Sequence, residues 1–307
     1  MSFLYFLESL RNPVLDTFFS VITLLGEETV FMVIGMTVFW CVNKYQGYYL
    51  LTTGFLGTAI NQFLKMLCRI PRPWVQDPNF TIVESARDAA TGYSFPSGHT
   101  QTSVGIFGGL ARWNKNTVIR IIAIAACVLV PLSRLYLGVH TPLDVAVSIA
   151  VALILIFIAY PLFMKASKNP KMMFIILGTI TLITFAYLLF ATLFPFPADT
   201  DQHNLESAIK NGYTLVGCML GLVVAYAVDF KYTKFDTDAV WWAQIIKVVG
   251  GLCLVLAVKE GLRTPLEFIF DGHLIARGIR YFLMVVVGGV AWPKTFKYFS
   301  KTKHKEN

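Results

Sequence analysis

Unusual polar residues of this chain cluster at the ends of four apolar runs. Lys65 and Arg72-Pro73 follow one long apolar run, Pro96-Ser97-Gly98-His99 opens the next, Ser133-Arg134 closes a third, and His140 with Asp144 opens a fourth. Three cations, two histidines, a glycine-bearing helix start and a carboxylate are the parts needed for phosphoryl transfer without a metal. Lys65, Arg72 and Arg134 can neutralise the equatorial oxygens of a transferring phosphoryl group, the arginines in bidentate fashion. The amides around Ser97, Gly98 and His99 fall at a helix N-terminus, where unpaired N–H groups bind anions. His140 and Asp144 are four apart on one helix face, so the carboxylate can fix the imidazole tautomer and stabilise its cation. One histidine is then oriented to attack and the other is left to donate a proton.

Each residue alone has an ordinary explanation. Lys65 can snorkel to a membrane interface, and Arg69 and Arg72 can hold lipid headgroups. Pro96-Ser97-Gly98 can be a turn with a helix cap. Asp144 can cap its helix, because Pro142 suits the first helical position and puts Asp144 in the first turn. Together they point to a site, since ionisable groups near a bilayer are costly and need partners. Two histidines and an aspartate are also zinc or iron donors. Three obligate cations beside them oppose a divalent ion, and no further Asp, Glu or Cys supplies a metal-like spacing, so no metal and no other cofactor is expected.

The elements that position these residues are membrane helices. Of 307 residues, 56% are hydrophobic and 14% charged, against roughly one-quarter charged in soluble domains. The runs 145–164 and 172–194 carry no charge and reach the ~20 residues that span a bilayer as helix. They are too long and unalternating for barrel strands. The expected fold class is therefore all-α, a polytopic transmembrane helical bundle. Nine spans are expected, near 27–43, 47–67, 97–112, 116–136, 140–164, 172–194, 212–229, 240–259 and 274–293.

Alternating the connectors puts Lys44, then Arg112 with Lys115, then Lys165, Lys168 and Lys171, then Lys231 with Lys234, then the tail lysines Lys294 to Lys305 on the cytoplasmic side. The opposite connectors hold most of the acids, including Asp77, Glu84, Asp88, Asp199, Asp201 and Asp271, and should face outward. This topology accounts for the net charge of +8 better than nucleic-acid binding does, because the basic residues sit in short connectors rather than along one face. The five cysteines lack paired spacing and read as small core residues. Glu8, Arg11 and Asp16 interrupt the first apolar stretch, so a cleaved signal is not expected there.

Lys65-x6-Arg72-Pro73, Pro96-Ser97-Gly98-His99 and Ser133-Arg134-x5-His140-x3-Asp144 resemble, in order and spacing and without a substitution, the three-part motif of the type 2 phosphatidic acid phosphatase superfamily. The resemblance covers about residues 26–194. It implies that His140 forms a covalent phosphohistidine, Asp144 orients it, His99 protonates the leaving oxygen, and Lys65, Arg72, Arg134 and Ser97 hold the phosphate, with no metal. It also implies a six-helix phosphatase core over 27–194. Residues 1–26 are then an interfacial segment, and 195–307 an extension of about three transmembrane helices with a basic cytoplasmic tail.

Membrane members of that superfamily mostly act on lipid phosphates or diphosphates from the outer face. Phosphatidate, phosphatidylglycerol phosphate or a polyprenyl diphosphate are thus the expected substrates, and the bilayer the expected partner. A membrane phosphatase for a soluble ester is the alternative, since loop 74–95 carries Asp77, Asn79, Glu84 and Arg87. A transporter would show internal inverted symmetry, and none is visible. Arg277 and Arg280, three apart on one face, read either as interfacial anchors or as contacts to a second anionic group.

Overall fold

The computed structural model describes residues 1–299, so the lysines of 300–307 expected in a cytoplasmic tail lie outside the described residues. Among the described residues there are helices and no strand. The order is α1 (Ser2–Ser9), α2 (Pro13–Thr23), α3 (Glu28–Cys41), α4 (Lys44–Cys68), α5 (Pro73–Gln76) and α6 (Gly98–Ser103), the last running through a π turn at Val104–Gly108 into α7 (Gly109–Trp113). Then come α8 (Thr117–Tyr136), α9 (Pro142–Ala166), α10 (Pro170–Leu193) and α11 (Gln202–Val228), closed by a π turn at Asp229–Thr233. Last are α12 (Trp241–Gly261), α13 (Arg263–Ile269), α14 (Ile275–Val286) and α15 (Trp292–Phe299). Local chemistry sets the starts. Asn12 and Asn169 cap α2 and α10, each followed by proline at the first position, and Asn116 caps α8 with bonds to Val118 N and Ile119 N.

Six helices are long and apolar enough to cross a membrane, or seven if α2 and α3, bent by 50° at Gly26–Glu28, form one span. Side chains such as Ile121, Ile154, Ile175 and Leu182 stand exposed on them, which suits lipid and not water. The chain is a multi-pass membrane protein. All nine expected spans are helical, but α3, α4 and the α6–α7 helix are not individually long and apolar enough to cross a membrane. Two of these three are polar for a visible reason: Thr58, Asn61, Gln62 and Lys65 of α4, and His99, Gln101 and Thr102 of α6, line a cavity. One boundary moves. α11 begins ten residues earlier than expected because Asp201 accepts a bond from Asn204 N (2.8 Å) and caps it. No disulfide links the five cysteines, and Cys218 alone is buried.

Two compact units interleave along the sequence. The first comprises Met1–Met32, Leu56–Tyr160 and Pro195–Ala208. Its hub is α8, against which α1, α2, α6 and α7 all pack. The connector 69–97 is folded down onto this hub. Ala86 and Ala90 share a core with Phe19, Tyr136 and Val139, while Phe80 and Ile82 pack with Leu4. Val83 N donates to Leu137 O (3.1 Å) and Arg11 Nη1 to Thr81 O (2.8 Å). The second unit comprises Val33–Phe55, Pro161–Phe194 and the described residues from 209 on. There Trp40, fully buried, donates Nε1–H to Gly288 O (2.9 Å), and Lys247, also fully buried, reaches Thr237 O (3.0 Å) and Asp236 O (3.2 Å).

The turn from α8 to α9 brings Arg134 and His140 to the same end of the first unit, and it depends on Gly138. Its φ of 80° is left-handed, and a Cβ there would meet the Phe80 ring at 3.0 Å. Gly138→Ala should destabilise the protein by ~1–2 kcal/mol from the backbone alone, read as a lower melting temperature in detergent. An unchanged melting temperature would show that the turn does not need the left-handed geometry.

Candidate active site

The site is assembled from the last turn of α4, the connector 69–97, the start of α6, the end of α8 and the start of α9. On α4, Thr58, Asn61, Gln62 and Lys65 follow the i, i+3, i+4, i+7 spacing of one helix face and line a cavity of about 330 Å³. Arg72, Gly98, His99, Arg134 and His140 line the same cavity. The three cations are buried, with 8% of Lys65, 6% of Arg72 and none of Arg134 exposed. Asp144 is buried beside them, and two carboxylates that are not buried, Glu27 and Glu28, also line the cavity.

Backbone carbonyls solvate two of these charges. Lys65 Nζ donates to Tyr93 O, Arg72 Nε to Gly92 O (2.9 Å) and Arg72 Nη2 to Thr91 O (2.7 Å). Three consecutive carbonyls thus serve the cations, and the residue in the middle is Gly92, whose φ of 73° turns the chain between them. Arg72 Nη1 also donates to Val139 O (2.8 Å) and lies 2.9 Å from His140 Nε2. Burial lowers the Arg72 pKa to about 10, with Asp144 opposing the shift, which leaves it cationic at neutral pH.

A guanidinium can only donate, so His140 Nε2 must carry a lone pair and Nδ1 the proton. That proton faces Asp144 Oδ2 at 3.4 Å. The same oxygen accepts from Thr141 N (2.7 Å) and from Ser94 Oγ (2.5 Å). In return Asp144 N donates to Thr141 Oγ1 (3.3 Å), a capping box at the start of α9. Asp144 therefore caps its helix and faces the histidine at once. The second and third motif parts are tied directly, since Ser97 N donates to Asp144 O (3.3 Å).

Arg134 spends one N–H on Thr23 Oγ1 (2.8 Å). Its Nε and Nη2 are buried without a partner, as are His99 Nε2, Asn61 Nδ2 and Gln101 Oε1, all on residues that line the cavity. Buried unpaired donors are rare in folded proteins, and those of Arg134 and Asn61 are on residues of one cavity wall. Such a lining fits an anion that accepts several hydrogen bonds. His99 is held against Gly26, where a Cβ would come within 2.9 Å of His99 Cβ and of its carbonyl.

Six of the expected residues, Lys65, Arg72, Gly98, His99, Arg134 and His140, share the cavity wall. Ser97 and Asp144 do not line it. Ser97 is fully buried, and its Oγ caps α6 by accepting from Thr100 N (3.4 Å). Arg277 Nε donates to Thr214 Oγ1 (2.7 Å), Arg280 is buried with Nε unpaired, and neither lines the cavity. Among the described residues no group of three or more His, Cys, Asp or Glu is placed to hold a metal ion. Sequence reasoning missed Ser94, Gly92, Gly26 and Thr23. Nothing in type or position marks these four in the sequence.

Two family models match the chain. The PAP2 superfamily model matches residues 44–168, which contain all three motif parts, and the model described as PAP2 superfamily phosphatase, transmembrane extension, matches residues 213–304. The chain is 33% identical over 108 residues to undecaprenyl-diphosphatase BcrC of Bacillus subtilis (strain 168), covering 35% of this chain and 53% of that protein. It is 29% identical over 160 residues to a probable sphingosine-1-phosphate phosphatase of Dictyostelium discoideum, covering 48% of this chain and 38% of that protein. The human sphingosine-1-phosphate phosphatase 2 is 28% identical over 143 residues, covering 45% and 35%. The chain thus spans about half the length of these relatives or less. The crystal structure of Aquifex aeolicus LpxE is similar with a TM-score of 0.46 at 26% identity, covering 52% of this chain and 92% of that one. By its two matched segments and the intact three-part motif, this chain carries a PAP2 superfamily domain over 44–168 and a PAP2 superfamily phosphatase transmembrane extension over 213–304.

Proposed function

We propose that this protein is a metal-independent membrane phosphatase that hydrolyses a lipid phosphate or diphosphate through a phosphohistidine. The observation that carries the reading is the cavity shared by three buried cations and two histidines, with buried unpaired N–H groups on its lining. A phosphate dianion supplies negative charge and acceptors to the buried cations and unpaired N–H groups. His140 Nε2 attacks phosphorus, the bond to the leaving oxygen breaks, and His99 gives that oxygen a proton. Water, losing its proton to His99, then cleaves the phosphohistidine and releases phosphate. Asp144 holds the Nδ1–H tautomer and stabilises the imidazolium that forms. Because Arg72 occupies the Nε2 lone pair, its Nη1–H must pass to a phosphoryl oxygen as the substrate enters, which couples phosphate binding to release of the nucleophile.

The names of the relatives, an undecaprenyl-diphosphatase and sphingosine-1-phosphate phosphatases, favour a lipid phosphate or diphosphate as substrate, for which phosphatidate, phosphatidylglycerol phosphate and a polyprenyl diphosphate are the candidates. On this reading the catalytic core is 27–194, with 1–26 interfacial and 195–307 an extension. The charge pattern puts the site on the outer face and the C-terminus in the cytoplasm. The polar wall of Thr58, Asn61, Gln62 and Gln101 favours a second reading, a soluble phosphate ester as substrate. Turnover of a lipid phosphate in mixed micelles against that of a soluble ester decides between the two.

His140→Ala should abolish phosphate release and His99→Ala nearly so, since nucleophile and acid act as a unit. More than about 5% residual activity in His140→Ala would remove the phosphohistidine step. Activity should persist in excess EDTA and be inhibited by millimolar vanadate, whose trigonal-bipyramidal adduct on His140 mimics the transferring group. Loss on chelation that zinc or magnesium restores would instead indicate a metal enzyme. Ser94→Ala removes a hydrogen bond to a buried carboxylate and should lower kcat roughly 10–100-fold with KM little changed. A change in KM alone would mean that Ser94 touches substrate rather than supporting Asp144.

A further inference from the structure

The second unit contains another cavity, of about 430 Å³, on whose lining the phosphatase chemistry makes no demand. Lys44, Tyr45, Tyr226, Asp229, Lys231 and Lys234 line it. We propose that it binds the phosphate headgroup of an anionic phospholipid.

The one carboxylate is already committed. Asp229 Oδ2 accepts from Lys44 Nζ at 2.7 Å, and Oδ1 accepts from Phe235 N at 3.0 Å. Lys234 N closes the turn on Asp229 O (2.9 Å), and Lys234 itself sits in the left-handed region with a φ of 44°. A lysine held in that conformation needs its surroundings to enforce it, and the buried Asp229 does so. Lys231 and Lys234 are left exposed, and no carboxylate among the described residues pairs with either. Tyr226, only 3% exposed, has a hydroxyl without a partner. Two uncompensated cations and a buried unpaired hydroxyl form a lining suited to a phosphate, which takes charge and hydrogen bond together.

The position in the fold selects a lipid over a soluble anion. The candidate span Gln202–Thr233 ends at this cavity, so the lysines stand at headgroup depth. Phe230, Tyr232, Trp241 and Trp242 in the same stretch are exposed, in the manner of an interfacial aromatic belt. The charge pattern also assigns the connectors that supply Lys44, Lys231 and Lys234 to the cytoplasmic side, where anionic lipids attract basic clusters.

The full chain, purified in neutral detergent, can be titrated with phosphatidylglycerol, phosphatidylcholine or inorganic phosphate while its melting temperature is followed. Phosphatidylglycerol should raise the melting temperature, and the double variant Lys231→Gln/Lys234→Gln should bind it roughly 30-fold more weakly. Any lipid entering the catalytic cavity affects wild type and variant alike, so their difference reports this cavity. Tyr226→Phe, which keeps the ring and removes the unpaired hydroxyl, should also weaken the response at an unchanged lipid-free melting temperature. Equal affinity in wild type and both variants overturns the proposal, as does equal stabilisation by phosphatidylcholine. Reproduction of the whole shift by inorganic phosphate overturns the lipid assignment. Because the readout is stability rather than turnover, it stands or falls apart from the phosphatase reading.

Discussion

Three like charges buried together at the end of a membrane bundle form the constraint around which the first unit is organised. Removing a lysine or arginine from water costs several kcal/mol unless the protein replaces its hydration, and Lys65, Arg72 and Arg134 also repel one another. The connector 69–97 meets part of this need with the carbonyls of Thr91, Gly92 and Tyr93, turned inward by the left-handed backbone of Gly92. Val139 O meets another part. The solvation stops short of complete, because Arg134 keeps two buried nitrogens without a partner. On the proposed phosphatase reading, a site built this way has its anion affinity fixed before the anion arrives, which is the preorganisation that transition-state stabilisation requires.

Fixing those carbonyls requires the connector to be rigid, which explains why a 29-residue stretch with almost no regular structure packs so closely. Its apolar residues join the cores of α1, α2 and the end of α8, and its backbone bonds to Leu137 and Ile70 pin both halves. The N-terminal helices belong to the same arrangement. Tyr136 Oη donates to Asp16 at 2.7 Å, and Thr23 accepts from Arg134 at 2.8 Å. A segment that looks peripheral in sequence thereby helps hold the cavity-lining Arg134 in place.

Asp144 shows how one carboxylate satisfies several needs. It is the helix cap of α9, the partner of Ser94, the group facing His140 Nδ1 and, through its backbone oxygen, the acceptor for Ser97 N. The helix-capping and catalytic explanations of this residue are therefore not rivals, since a carboxylate has lone pairs enough for both. The 3.4 Å separation from His140 is long for a strong hydrogen bond. It should tighten as positive charge develops on the imidazole.

The sequence by itself determined the fold class and the membrane character, and it pointed to most of the residues of the candidate site. Hydropathy acts over about twenty consecutive residues and needs no tertiary contact, so charge-free runs such as 172–194 were legible at once. The motif residues were legible because buried charges are rare enough that their chemical types betray them. Which helices would look apolar was another matter. α4 and α6 surrender their hydrophobicity to line a polar cavity, and only the assembled bundle shows that use. Tertiary structure also decided the supporting residues: Ser94, Gly92, Gly26 and Thr23 are common types in unremarkable positions. It separated the residues on the cavity wall from Ser97 and Asp144 behind it. Their roles come from the direction of a hydroxyl or carbonyl in space, which depends on backbone angles set by packing between segments far apart in the chain, and no local pattern encodes that.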